Sequence, residues 1–81
     1  MVRLRRRQPK WLAGKLLAIR NDLGLSQTEM ANALDLKVAY TAISAYERGT
    51  REPDLITLLR YARLARVTVD VLIDDKVNLP R

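Results

Sequence analysis

The chain has 81 residues with neither cysteine nor histidine, and its 15 Lys and Arg against 9 Asp and Glu give a formal net charge of +6. A chain this short encloses one modest core, so a single domain of about five short helices is the natural limit. Disulfide frameworks, thiolate metal sites and histidine acid–base chemistry are excluded; no apolar run approaches the roughly 18 residues that cross a bilayer, and the Arg-rich start leads into no signal-type stretch, so a cytoplasmic protein is expected.

Seven basic residues and no acid lie in the first twenty positions: Arg3, Arg5, Arg6, Arg7, Lys10, Lys15 and Arg20. The other 61 residues are close to neutral, so the excess charge is N-terminal. Residues 1–8 have no apolar periodicity and read as a flexible basic segment, either a solvated tail or an arm suited to neutralising phosphates. Pro9 then suits the first turn of a helix, and Leu12, Leu16, Ile19 and Leu23 recur on one helical face. Gly24 is a left-handed stop.

Ser26, Gln27, Thr28 and Glu29 spell a capping box that starts a second, short helix with Met30, Ala31 and Leu34 inward, running out near Asp35. A third helix is predicted over Tyr40 to Arg48, with Ile43 and Tyr46 inward and Gly49 as its stop. Pro53 and Asp54 open a fourth, whose predicted buried stripe is Leu55, Leu58, Leu59, Ala62 and Ala65. Thr68 is placed to cap a last short helix through Ile73. The predicted organisation is an arm over 1–8, a helical domain over 9–74 and a tail over 75–81. Trp11 and Tyr61, at helical spacing beside leucines, read as core or half-buried. Asp70, Asp74 and Asp75 read as solvated acids near a terminus.

The order of these pieces resembles the Cro and phage-repressor type of helix-turn-helix domain, the XRE-like family, over about residues 12–74. The resemblance is carried by Leu25-Ser26-Gln27, Glu29-Met30-Ala31 and Leu34 in the first motif helix. Ile43-Ser44 and Tyr46-Glu47-Arg48-Gly49 carry it in the second, and Pro53 with Leu55 through Ala65 follow. It implies an all-α, lambda-repressor-like fold in which the second motif helix enters a major groove about 12 Å wide while the first lies across the backbone. It also implies a phosphate contact from an exposed Gln27 amide at a helix N-terminus. Tyr40, Thr41, Ala42, Ser44 and Ala45 are then the outward candidates for base contact, and Arg48 and Arg51 the candidates for phosphate. The arm would add Arg5, Arg6 and Arg7. Glu47 would be structural, pairing with a nearby arginine.

Between Leu34 and Ile43 the chain has two residues more than the usual pattern, so the turn through Lys37, Val38 and Ala39 is longer. Asp35 and Arg66 stand where glycine is common, which implies left-handed non-glycine residues or differently ended helices. The implied function is sequence-specific regulation of transcription on double-stranded DNA, more readily by repression than by chemistry. A module this small reads few bases, so a homodimer is expected. Its contact is expected at the C-terminal end, where Val69, Val71, Leu72, Ile73, Val77 and Leu79 offer apolar area. The alternative is an antitoxin or adaptor that mainly grips a protein partner. No catalytic residue, metal or cofactor is expected.

Overall fold

Five helices follow one another in the computed structural model, which describes residues 9–35 and 40–80: α1 (Leu12–Leu23), α2 (Gln27–Ala33), α3 (Tyr40–Arg48), α4 (Leu55–Ala65) and α5 (Val69–Ile73). The arginine arm over 1–8 and the turn residues Lys37, Val38 and Ala39 lie outside the described residues, so the expectations placed on them rest on sequence.

Local chemistry sets the helix ends. Ser26 Oγ accepts the Glu29 N–H at 3.0 Å and Glu29 Oε1 accepts the Ser26 N–H at 2.8 Å, which is the predicted capping box. The Ser26 N–H holds the Glu29 carboxyl below its ordinary range. Asp54 caps α4 by accepting the Thr57 N–H at 2.8 Å. Thr68 occupies the N-cap of α5 without a side-chain cap bond. At the other ends Gly24, Gly49 and Arg66 all adopt left-handed backbone, with φ of 70°, 75° and 58°. The N–H after each reaches back five residues, as from Leu25 to the Arg20 carbonyl at 3.2 Å and from Val67 to the Ala62 carbonyl at 2.9 Å. Asp35, at φ 52°, is the second non-glycine residue in this region.

The core is Leu12, Leu16 and Ile19 of α1, Met30, Ala31 and Leu34 of the α2 segment, Ala42, Ile43 and Tyr46 of α3, Leu58, Tyr61 and Ala62 of α4, and Leu72 of α5. Tyr61 is fully buried, and burial pushes its phenol well above the ordinary value. Three predicted core positions are corrected. Leu55 is 70% exposed, because it lies in the first turn of α4 and projects past the end of the core; Leu23 emerges at 40% for the same reason at the end of α1. Trp11 is 54% exposed, with Lys10 Nζ 4.9 Å above its ring.

The segment after α5 folds back onto α1 through two side chains. Lys15, only 7% exposed, donates from Nζ to the Val71, Asp74 and Val77 carbonyls at 2.7, 2.9 and 2.7 Å. Its ammonium thus sits at the negative end of α5. Asp75 accepts the Trp11 N–H at 3.0 Å and the Lys10 N–H at 2.9 Å, tying the turn that leads into α1 to the C-terminal segment. Those N–H groups hold the Asp75 carboxyl below its ordinary value of 3.8. A depressed folded pKa means the ionised group favours the fold at every pH above 3.8, and this contribution is lost as pH falls through the lower folded value. Asp75→Asn is therefore expected to lower the melting temperature at neutral pH and to reduce the drop seen on acidification. Thermal melts from pH 7 down to about 2 check this; parallel curves for variant and parent would contradict it.

Candidate nucleic-acid interface

The segment α2–turn–α3 is held by a charged cluster centred on Glu47. The Arg20 guanidinium of α1 grips its carboxylate with Nε to Oε2 at 2.6 Å and Nη2 to Oε1 at 3.0 Å. The same arginine donates from Nη1 to the Leu25 carbonyl at 2.9 Å, fixing the α1–α2 joint. Gln27 Nε2 adds a bond to Glu47 Oε1 at 3.2 Å. Side-chain exposure is 16% for Arg20 and 5% for Glu47, so the pair is shielded from water. The Glu47 carboxylate raises the Arg20 pKa further above its already high value. Glu47 is thus structural and paired with an arginine, as the resemblance implied, and α1, α2 and α3 are locked at one point.

This lock changes the reading of Gln27. It is half-buried rather than exposed, with its amide Nε2 donating to Glu47 Oε1. Ala42 is a correction: it was expected to face outward and is only 6% exposed, within the core. At about 100° per residue it lies beside Ile43 and one turn before Tyr46, so five near-consecutive positions cannot all face one way.

The outward stripe of α3 is Thr41, Ser44, Ala45 and Arg48. Thr41 and Arg48 are exposed, Ser44 and Ala45 half-buried, and Tyr40 at the start is 55% exposed. Arg48 Nη1 donates to Ser44 Oγ at 2.9 Å. Arg51 lies past Gly49 with its guanidinium 5.9 Å from the Tyr46 ring centroid. Gly49 takes its left-handed φ of 75° without the strain a side chain would bring, and the chain turns there between Arg48 and Arg51. The result is a polar ridge with hydroxyl donors and acceptors along it and two cations at its end, a pattern suited to base edges flanked by phosphates. Arg60 was missed at the sequence level: it donates to the Leu34 and Asp35 carbonyls, a long-range bond with no local signature.

A rigid two-helix corner presenting a polar second helix is the architecture of DNA-binding transcription regulators. The helix-turn-helix family model matches residues 16–72, and the chain belongs to that family. Three solved structures are similar. The P22 c2 repressor protein in complex with a synthetic operator has a TM-score of 0.70 at 23% identity, over 85% of this chain and 98% of that one. The SinR protein/SinI protein complex has a TM-score of 0.70 at 24% identity, over 80% of this chain and 62% of that one. The hypothetical transcription factor NHTF from Neisseria has a TM-score of 0.67 at 25% identity, over 90% and 88%. Curated protein sequences give no match. Among the described residues no helix is long and apolar enough to cross a membrane.

Proposed function

We propose that this chain is a sequence-specific double-stranded DNA-binding regulator that represses transcription as a cytoplasmic homodimer. The observation that carries the reading is the α3 ridge: Thr41, Ser44 and Arg48 face outward on a helix whose inner side is fixed by Ile43, Tyr46 and the Arg20–Glu47 pair. Base contact falls to Thr41, Ser44 and Ala45, with Tyr40 at the edge. Phosphate contact falls to Gln27, Arg48 and Arg51, joined by Arg5, Arg6 and Arg7 from the arm. Selection of bound sequences from a random duplex library tests it. Recovery of a motif with two-fold symmetry is expected, and a pool that stays random after repeated rounds would contradict it.

The dimer contact is narrower than the sequence implied. Leu72 is fully buried in the monomer, and Val69 and Leu79 pack against its core. Ile73 at 44% and Val77 at 38% exposure remain. Replacing both Ile73 and Val77 by Asp is expected to convert a dimer into a folded monomer in sedimentation at micromolar concentration, and to weaken operator binding. A parent chain that shows no pairing even on operator DNA would contradict the homodimer.

A second reading, an antitoxin or adaptor whose main role is to bind a protein partner, is favoured by the same exposed apolar surface and by the similarity to a structure described as a complex of two proteins. It predicts a chain that binds duplexes without sequence preference.

A further inference from the structure

Arg60 lies on α4, between the core residues Leu58 and Tyr61, and is itself half-buried. Its Nη1 donates to the Leu34 carbonyl and to the Asp35 carbonyl, both at 3.0 Å. These carbonyls terminate α2. Their position is demanding in two ways. Asp35 holds a left-handed φ of 52° without being glycine, a conformation uncommon for a residue with a Cβ. The end of α2 also concentrates unpaired carbonyls and partial negative charge, and the last turn of α2 contains no basic residue. Arg60 supplies the missing cation and both hydrogen bonds from another helix. Leu58, Tyr61 and Ala62 anchor its backbone in the core, so the exit of α2 is tied to a rigid element.

The helix pair is thereby held at two places. Glu47, bound to Arg20 and Gln27, fixes the far end of α3 against the start of α2. Arg60 fixes the end of α2, from which the chain proceeds to the first turn of α3 and its exposed Tyr40 and Thr41. Because α2 and α3 pack directly against each other, a displacement at the α2 exit is passed to α3, and with the Glu47 end fixed it falls on the end that carries Tyr40 and Thr41.

We propose that Arg60 is a positioning residue for sequence recognition: by holding the Leu34 and Asp35 carbonyls it sets the placement of Tyr40 and Thr41 against the bases, without itself contacting DNA. The proposal rests on the DNA-binding reading above. It predicts that a residue on α4 governs specificity rather than bulk affinity.

The test uses the full chain with Arg60→Met and Arg60→Lys, the latter keeping a cation that reaches the same carbonyls. Without DNA, amide chemical shifts of Tyr40 to Ile43 are expected to move in Arg60→Met, while those of Ser26 to Glu29 and Glu47 to Gly49 stay. With DNA, below the melting temperature of both variants, Arg60→Met is expected to lose about 10-fold in affinity on a duplex recovered by selection and less than about 2-fold on a random duplex. The salt slope is expected to stay the same, and Arg60→Lys to regain most of the loss. Equal losses on both duplexes, unchanged binding to both, or a salt slope shallower by about one unit, the mark of a direct phosphate contact, would each overturn the proposal. If Arg60→Met does not fold, Arg60→Gln, which keeps a neutral donor, takes its place with the same expected signs. A parent chain that binds neither duplex contradicts the DNA reading, whereas unmoved Tyr40 to Ile43 amides contradict the role of Arg60 alone.

Discussion

Glu47→Ala is expected to destabilise the fold by about 3 kcal/mol, because removing one member of a shielded ion pair leaves the other uncompensated. Arg20 would keep its bond to the Leu25 carbonyl but lose both carboxylate contacts, and Gln27 would lose its partner on α3. The expected result is a large fall in the urea midpoint with little change in slope. Replacing both partners by apolar residues, Arg20→Met with Glu47→Leu, is expected to recover much of that loss, since no charge is then left without its partner. The double variant is nevertheless expected to bind DNA poorly, because the lock that orients α3 and Gln27 is gone. Equal stability for parent and Glu47→Ala would show that the pair contributes nothing net.

Deletion of residues 1–7 is the second large effect, and it acts on binding alone. Four arginines are removed, and every core residue among the described residues is kept. We infer that they settle along the duplex with one or two entering a groove, where the planar guanidinium suits a narrow A·T-rich minor groove. The melting temperature and dimer are expected to stay unchanged. Affinity is expected to fall on all sequences, by about 10-fold or more at low salt, and the salt slope to become shallower by about 2 to 4 units for a dimer. Affinity equal to that of the full chain at moderate salt would reduce the arm to a solvated tail.

The fold was legible where local rules suffice. The capping box at Ser26, the glycine stops at 24 and 49 and the spacing of Leu12, Leu16 and Ile19 each follow from neighbours within one turn. Tyr40 to Arg48 emerges with the predicted bounds. Positions that depend on distant partners were not legible. Lys15 and Arg20 contribute to the N-terminal excess of charge, yet one holds three carbonyls of the C-terminal segment and the other holds Glu47. Asp75, read as a solvated acid, holds the Trp11 N–H at the entry to α1 from 64 residues away. Ala42 is chemically neutral between core and surface, so its inward position follows only from the phase of α3. Leu55 and Trp11 match an apolar pattern but stand beyond the end of what that pattern buries.

The most direct measurement of the central claim is a salt titration of affinity for a duplex recovered by selection, from about 50 to about 200 mM. The account predicts that log affinity falls with log salt at a slope of about −5 to −9, for a dimer contacting on the order of 6 to 10 phosphates, with Gln27, Arg48, Arg51 and the arm as the contributing groups. A flat titration, or equal affinity for unrelated sequences throughout the range, would contradict it.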